Sequence, residues 1–344
     1  MRALTIGGHG GLEQLSLSDV PEPTLRGASD VRIRVRAAAL NHIDLFVLAG
    51  LPNSALIPPW IVGSDACGIV ESVGRDVTRV RVGDLVAINP GLSDRACAFC
   101  NAGEQPLCLK YRILGENIPG TATEMLVLPE VNVRSLPPDA DPIRAAAFPL
   151  VTLTAWRMVH TRARVQARER VLIWGIGGGV AIAALQICKQ IGAEVWVTSR
   201  SPDKLRRARE LGADHCLETT ADTASAIRSA TAKAGVDVVI DDVGKATWSQ
   251  SLKALGRRGR LVTCGATTGP IVDLDVRRLF WNQWDIMGST MGNDAEFDAI
   301  VAELRAGRLL PPVDSVWRLD QGRDAYARLQ SGAQFGKVVF GLDN

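Results

Sequence analysis

The sequence has no excess of charge of either sign. Its 344 residues include 39 Lys and Arg and 37 Asp and Glu, a net charge of +2, with no concentrated basic block. Proteins bind nucleic acid and anionic membrane surfaces through such blocks, so we expect neither as a partner. No apolar run reaches the roughly 18 residues of a membrane helix, and the N-terminus lacks a signal-peptide pattern. We therefore expect a cytoplasmic globular protein.

Tyrosine and histidine, two residue types that commonly transfer protons, are scarce. The chain has two tyrosines, Tyr111 and Tyr326, neither of them in a recognisable motif, and four histidines. Its seven cysteines are expected to be thiols or metal ligands, because disulfides are rare in cytoplasmic proteins. With 47% hydrophobic residues, the chain is long enough for two domains that each bury a core.

The pattern of apolar residues changes once along the chain. Residues 1–150 have short strand-like runs, including 31–35 and 77–84, and predict an all-β domain with Greek-key or barrel character. In residues 151–290 apolar strands alternate with helices, which predicts a doubly wound parallel sheet. Residues 291–344 contain a helix at 296–306 and a final strand at 337–340. We expect this last segment to return and pack on the first domain.

A glycine-rich turn lies between an apolar strand at 171–174 and an apolar helix. The residues that would surround a bound phosphate are Gly175, Gly177, Gly178, Gly179 and Val180. Glycine lets the backbone approach a pyrophosphate, whose charge is then held by unpaired N–H groups of the helix N-terminus. The spacing departs from the strict dinucleotide fingerprint, and a plain turn between buried elements is the alternative. We predict a dinucleotide-binding loop.

The end of the second strand of this unit indicates which dinucleotide is bound. An acidic residue there would accept the ribose hydroxyls of NAD(H), but the sequence has Ser199 and Arg200, with Lys204 one helical turn further on. A hydroxyl and two cations suit a 2′-phosphate, which favours NADP(H). The alternative is that Arg200 is a solvated surface residue.

Several motifs together resemble the medium-chain dehydrogenase/reductase superfamily over essentially the whole chain. They are Asn41-His42-Ile43-Asp44, residues 63–70, Val82-Gly83-Asp84, the cysteine lobe at 94–108, the glycine loop and Gly336-Lys337-Val338-Val339. The resemblance implies a GroES-like β-rich catalytic domain at 1–150, a Rossmann cofactor domain at 151–290 and a returning segment at 291–344. It also implies an oxidoreductase that acts on a small molecule and forms a homodimer or homotetramer.

Positions that hold the catalytic zinc in alcohol dehydrogenases of this superfamily carry other residues here. Asn41 stands where the relatives have the first cysteine ligand of the zinc, and Ser64 stands where they have the histidine ligand. The second cysteine ligand is expected within residues 148–154, which contain no cysteine. Without a metal to stabilise an alkoxide, alcohol oxidation loses its main electrostatic contribution. These positions are similar to the quinone oxidoreductase branch. The expected hydride acceptor is therefore a quinone or an α,β-unsaturated carbonyl, already activated by conjugation.

The spacing of four residues in the cysteine lobe is similar to the structural zinc site of alcohol dehydrogenases. The four are Asp94, Cys97, Cys100 and Cys108, with aspartate in place of the first thiolate. A carboxylate oxygen is an acceptable zinc ligand, so we predict one structural zinc in a closed site. Three reduced thiols in a loop without metal are the alternative.

The resemblance also assigns roles around the nicotinamide. It places Asn41 beside the nicotinamide ribose or substrate, Thr154 or Thr152 near the nicotinamide, and His42 near the pyrophosphate or as a general acid. The positions expected to contact the carboxamide are Gly265, Ala266, Gly288, Ser289 and Thr290. Asn41 as a turn cap, and Asp44 with Asp65 as a pair that holds the cleft walls, remain alternatives.

Two other functions remain open. One is an alcohol or aldehyde dehydrogenase that holds zinc through unusual ligands such as His42, Asp44 and Asp65. The other is a non-catalytic protein that binds NADPH or nucleic acid.

Overall fold

The computed structural model describes residues 1–51 and 56–342. The strands are β1 (Arg2–Ile6), β2 (Leu15–Asp19), β3 (Asp30–Ala39), β4 (Trp60–Ile61), β5 (Asp65–Val73), β6 (Leu85–Ile88), β7 (Gly91–Leu92), β8 (Arg112–Ile113), β9 (Met125–Pro129), β10 (Val133–Ser135), β11 (Arg170–Ile173), β12 (Glu194–Ser199), β13 (His215–Glu218), β14 (Val236–Asp241), β15 (Leu255–Thr263), β16 (Asp285–Gly288), β17 (Val313–Trp317) and β18 (Lys337–Gly341). The helices are α1 (His42–Ala49), α2 (Ala98–Asn101), α3 (Pro142–Ala146), α4 (Pro149–Trp156), α5 (Gly179–Ile191), α6 (Pro202–Glu210), α7 (Thr223–Ala230), α8 (Lys245–Ala254), α9 (Val276–Asn282), α10 (Asp294–Arg305) and α11 (Gly322–Gln330). Contacts divide the chain into two compact units, Met1–Leu150 with Asn293–Asn344, and Val151–Gly292.

The first unit is built on a mixed sheet with the order β10-β6-β5-β3-β18-β17, in which β9 also pairs with β3. The alternation in 31–35 buries Val31, Ile33 and Val35, each at most 2% exposed, as its period of two predicts. Strand β18 from the C-terminal segment pairs antiparallel with β3, so that Val339 lies opposite Ala39. The end of the chain therefore contributes an interior strand to a sheet that begins near residue 30.

Two expectations for this unit were wrong. Residues 1–150 are not all-β, because they contain α1, α2 and α3. Residues 77–84 form turns and not a strand, although the residues alternate in polarity. Three of their backbone donors are satisfied by side chains: the Glu130 carboxylate accepts from the N–H groups of Thr78 and Arg79, and the Asp84 carboxylate accepts from that of Arg81. These carboxylates supply the acceptors that a partner strand would otherwise provide at residues 78, 79 and 81.

The second unit contains a parallel sheet with the order β13-β12-β11-β14-β15-β16. The order reverses at β11, with β12 on one side and β14 on the other, which is the arrangement of a doubly wound sheet. The interior of β11 is at most 1% exposed, as expected for a strand covered on both faces. The predicted α/β fold, with a β-rich domain and a Rossmann domain, is confirmed. Ligands of such sheets bind beyond the carboxyl ends of the strands at the reversal.

Some elements gave no clear signal in the sequence. Strand β13 (HCLE) lacks an apolar run, α7 (TASAIRSA) is rich in Ser, Thr and Ala, and α9 buries none of its seven residues. Strand β13 lies at the edge of its sheet and α9 has no fully buried residue, so neither needs an apolar run. Helix α7 reaches the core through Ala224 and Ile227. Among the described residues, no helix has the length and apolarity needed to cross a bilayer.

Candidate active site and metal site

The glycine loop joins β11 to α5 and is held against β12. Gly175 and Gly177 have φ angles of 66° and 133°, a region that favours glycine. The N–H of Ile176 donates to the carbonyl of Thr198 at 2.8 Å. A Cβ added at Gly178 would have no protein atom within 4 Å, so the space in front of the loop is open. The first N–H groups of α5 have no partner within the helix, and they can therefore receive an anion.

The three residues predicted to select the dinucleotide lie at the end of β12 and in α6. Ser199 ends the strand and is 7% exposed, and Arg200 follows it on the surface. The Lys204 side chain reaches over the loop, since a Cβ at Gly177 would lie 3.0 Å from its Nζ. The Ser201 hydroxyl accepts from the Lys204 N–H and fixes the first turn of α6. The fold thus brings a predicted phosphate-binding cation to the predicted phosphate loop.

The positions assigned to the nicotinamide lie at the carboxyl ends of adjacent parallel strands. Gly265 and Ala266 follow β15, and Gly288 ends β16, followed by Ser289 and Thr290. The Ser289 N–H donates to the carbonyl of Thr263, whereas its buried Oγ has no hydrogen-bond partner among the described residues. A buried hydroxyl without a partner is uncommon in a folded protein, and a bound ligand would satisfy it.

Thr154, the remaining candidate in the second unit, lies in α4. It is 5% exposed, and its Oγ1 lies 3.9 Å from the Met291 sulfur. Thr152 in the same helix is 2% exposed. Both hydroxyls are thus located on a buried part of the unit.

Asn41 lies between β3 and α1 and is held by a buried polar network in the first unit. Its Nδ2 donates to Asp65 Oδ2 at 2.9 Å, and its Oδ1 accepts from the Lys337 ammonium group. Lys337 also donates to Asp65 Oδ2 at 3.1 Å. The second carboxylate oxygen of Asp65 accepts from the backbone N–H of Leu150 at 2.8 Å. Three residues, Asn41, Lys337 and Leu150, therefore donate to one fully buried carboxylate, that of Asp65.

Asp44 occupies a separate position at the start of α1. Its carboxylate accepts from the Asn41 backbone N–H at 2.7 Å and from the Ser64 hydroxyl at 3.4 Å. Burial raises the pKa of Asp44 to about 7, opposed by the Asn41 N–H bond and by the charge of Lys337. His42, the first residue of α1, is half-buried. The side chain of Asn41 is thus directed to Asp65 and Lys337, while Asp44 satisfies the helix start.

Lys337 lies in the Gly336-Lys337-Val338-Val339 motif, for which the sequence alone predicted no role in the site. It begins β18, a strand that is otherwise apolar, and its side chain is 3% exposed. Its partners lie 272 and 296 residues away in the chain. The signal available in the sequence was a lysine at the start of a buried strand, where a charge requires a buried partner.

The four residues of the cysteine lobe are brought together. One ligand atom from each of Asp94, Cys97, Cys100 and Cys108 lies within 4.8 Å of the others. The Cys97 and Cys100 sulfurs are 3.6 Å apart, and Cys100 Sγ lies 3.4 Å from Asp94 Oδ1. A tetrahedral zinc with bonds of about 2.3 Å to sulfur requires sulfurs about 3.8 Å apart, so the donor set and its spacing fit this ion.

The carboxylate of this cluster is held in its ionised form. The Ala96 and Cys97 N–H groups donate to Asp94 Oδ1 at 3.0 and 3.1 Å, and they hold the pKa of Asp94 well below its usual range. The Asp94 and Lys110 N–H groups each donate to the Cys108 sulfur at 3.4 Å, which fixes the position of this sulfur. Within the described ranges, this is the only group of three or more His, Cys, Asp or Glu side chains with such spacing.

Known proteins resemble this chain in both sequence and fold. The profile described as "Alcohol dehydrogenase GroES-like domain" matches residues 27–138, and the one described as "Zinc-binding dehydrogenase" matches residues 179–306. A solved structure named NAD-dependent alcohol dehydrogenase is 40% identical with a TM-score of 0.96, and each chain covers 100% of the other. A quinone oxidoreductase of Pseudomonas aeruginosa is 32% identical over 80% of this chain and 76% of its own.

This chain belongs to the medium-chain dehydrogenase/reductase superfamily. An acryloyl-coenzyme A reductase of Metallosphaera sedula, 29% identical over 98% of this chain and 99% of its own, extends the range of similar proteins. As a member of the superfamily, the chain is an oxidoreductase. Its similarity to zinc-binding dehydrogenases and its cysteine cluster indicate a nicotinamide cofactor and zinc.

Proposed function

We propose that this member of the superfamily uses NADPH to reduce a quinone or an α,β-unsaturated carbonyl without a catalytic zinc. Residues 151–290 are the cofactor domain in this proposal, residues 1–150 the catalytic domain, and residues 291–344 the segment that completes it. The proposal rests chiefly on one observation, the set of side chains around Asn41.

These side chains are poor zinc ligands. Asn41 and Ser64 offer an amide and a hydroxyl, and the Asp65 carboxylate is already bonded to Lys337. His42, Asp44 and Asp65 do not converge within ligand spacing, since the described residues contain that geometry only in the cysteine lobe. A substrate at this site must therefore carry its own activation, as a conjugated carbonyl or a quinone does.

In the proposed reaction, NADPH supplies a hydride to the β-carbon of the acceptor and becomes NADP⁺. For an α,β-unsaturated carbonyl, the electron pair of the carbon–carbon double bond would form a new double bond to the carbonyl carbon, and the carbonyl π pair would move to the oxygen. A proton added at the α-carbon, with water as the proposed donor, would complete the saturated product. The Asn41 amide would donate a hydrogen bond to the carbonyl oxygen as its charge develops. Thr154, Gly265, Ala266, Gly288, Ser289 and Thr290 would orient the nicotinamide. His42 would contact the pyrophosphate.

The preference for NADPH is proposed from the end of β12. Ser199 and Arg200 stand where an acidic residue would bind NAD(H), and Lys204 lies over the phosphate loop. A charged hydrogen bond contributes about 1.5–3 kcal/mol, or roughly 10- to 100-fold in affinity. The similar structure named NAD-dependent alcohol dehydrogenase makes NADH the cofactor to compare.

Similar proteins support both parts of the proposed acceptor class. One is named quinone oxidoreductase and another acryloyl-coenzyme A reductase, and acryloyl is an α,β-unsaturated acyl group. The 40% identical structure named alcohol dehydrogenase makes alcohol oxidation the second candidate.

The deciding experiment measures NADPH and NADH oxidation by the purified protein with quinones, enones, enals and simple aldehydes, and NADP⁺ reduction with alcohols. We expect turnover of conjugated acceptors that persists after a chelator is added, and a lower Michaelis constant for NADPH than for NADH. The replacement Arg200→Ala should weaken the binding of NADPH and leave the binding of NADH unaffected. Chelator-sensitive alcohol oxidation would favour the second candidate, and cofactor binding without turnover of any acceptor would indicate a non-catalytic protein.

A further inference from the structure

The Lys337–Asp65 pair decides which way the Asn41 amide faces. An ammonium group can only donate, so the amide atom beside Lys337 must be the oxygen. An ionised carboxylate can only accept, so the atom beside Asp65 must be the nitrogen. The orientation of this amide is thus fixed by the chemistry of its two neighbours. Such assignments usually depend on the choice of hydrogen-bond network.

The same arrangement leaves one donor of the amide available. Nδ2 carries two hydrogens, of which one is bonded to Asp65. The second has no acceptor among the described residues, and Asn41 retains 5% of its surface exposed. Asp65 and Lys337 lie deeper, at 0% and 3% side-chain exposure. The charged pair is therefore shielded from water, and Asn41 is the most exposed of the three residues.

The ammonium group also changes the strength of that donor. A cation bonded to an amide oxygen draws electron density from the nitrogen through the conjugated amide, which makes the N–H a stronger donor. Hydrogen bonds in a chain polarise one another in this way, and the effect is larger in a medium of low dielectric constant. Because the pair is buried, water does not screen this polarisation.

We propose that Lys337 and Asp65 are positioning residues that orient and polarise the Asn41 amide as the hydrogen-bond donor to the acceptor oxygen. This inference rests on the proposed function, in which negative charge develops on that oxygen during hydride transfer. A donor that is oriented before the reaction stabilises such charge without reorganisation. Lys337 acts through Asn41 and does not itself contact the substrate.

A purely structural ion pair is the contrasting explanation, and variants can separate the two. Lys337→Met alone leaves the buried Asp65 charge unpaired and endangers folding. The double variant Asp65→Asn/Lys337→Met removes both charges, and a neutral pair of this kind is often tolerated. Lys337→Arg retains a cation. Lys189→Met, which breaks the half-buried pair with Asp214 elsewhere, is the matched control.

The full-length variants are compared in kcat for a quinone or enone, in the NADPH dissociation constant, and in the ¹⁵N spectrum of selectively labelled asparagine side chains. We expect the double variant to fold, to bind NADPH as the wild type does, and to lose roughly 100-fold in kcat, the loss typical of an oxyanion donor. The single variant Lys337→Arg should show a smaller decrease in kcat than the double variant, because it retains a cation. The control Lys189→Met should have the kcat of the wild type. The chemical shifts of the two Asn41 side-chain hydrogens should differ widely in the wild type and should lie closer together in the double variant.

Wild-type kcat in the double variant would overturn the inference, as would an Asn41 amide signal that does not change. A wild-type protein that turns over no conjugated acceptor would contradict the proposed function instead. In that case the amide spectrum still decides whether Lys337 and Asp65 fix Asn41.

Discussion

The glycines of the loop differ in what a side chain at each position would disturb. Gly175 and Gly177 have positive φ angles, so their substitution strains the backbone whether or not a ligand is bound. Gly178 has φ −74° and ψ 154°, which any residue adopts, and a Cβ there meets no protein atom within 4 Å. The fold therefore does not require glycine at 178, and we propose that the bound pyrophosphate does.

Replacement Gly178→Ala is expected to weaken NADPH binding without destabilising the protein. The added methyl group projects into the space assigned to the pyrophosphate and displaces it from the N–H groups of α5. Loss of one charged hydrogen bond corresponds to roughly 10- to 100-fold in the dissociation constant, measured by cofactor fluorescence. The melting temperature without cofactor should not change.

Gly7→Ala is the matched control, because a Cβ at Gly7 also meets only an ordinary contact, the Gln14 Oε1 at 3.7 Å. It should alter neither the melting temperature nor the affinity. Unchanged affinity in Gly178→Ala would show that the pyrophosphate does not bind at this loop.

Among the elements, the cysteine lobe has little regular structure of its own. It contains the four-residue helix α2, and the short ladder of β7 and β8 flanks it. Its apolar residues Leu107 and Leu109 are 50% and 85% exposed, so they form no core. The ion pair of Arg95 with Asp294 connects the lobe to the start of α10. A segment with so little buried apolar surface is of the kind that metal binding stabilises.

The purified protein should contain about one zinc per chain, measured by elemental mass spectrometry. Cys100→Ser should lower the zinc content and the melting temperature, whereas Asp94→Cys should retain zinc because a thiolate replaces the carboxylate. Cys216→Ser, at a half-buried cysteine in β13 outside the lobe, should leave the zinc content unchanged. Zinc-free wild-type protein would contradict the assignment, and a second zinc per chain would contradict metal-free chemistry.

At the scale of the molecule, one surface of the second unit is unusually apolar. Ile271, Val276, Phe280 and Trp281 are 61–79% exposed, in and just before α9. The adjacent strand β16 lies at the edge of the parallel sheet and, among the described strands, pairs with β15 alone. An exposed strand edge beside an apolar patch is typical of an interface between copies of a chain. We propose that the protein is a homodimer, or a homotetramer built from such dimers, through this surface.

The double variant Phe280→Glu/Trp281→Glu should disrupt the oligomer, because association would bury two carboxylates. Light scattering should then report a mass nearer to that of one 36.9 kDa chain. Val82→Glu changes a residue that is 62% exposed in a turn of the first unit and should leave the mass unchanged. A wild-type protein that is monomeric would refute the proposed interface.

The sequence by itself determined the features that depend on residues close together in the chain. The glycine loop, the alternation of strands and helices, and the spacing of Asp94 with its three cysteines each lie within about 30 residues, and local backbone preferences fix them. Segment 77–84 shows the limit of this reasoning. Its alternation predicts a strand, but Glu130, more than fifty residues away, supplies acceptors for its N–H groups.

Only the tertiary structure decided the surroundings of Asn41. Its bonds reach Asp65, 24 residues away, and Lys337, 296 residues away, and they form because β18 pairs with β3 beside β5. A buried ammonium group must have a buried partner, but nothing in the local sequence states which carboxylate that is. Sheet pairing makes that choice, because it determines which distant residues leave water together.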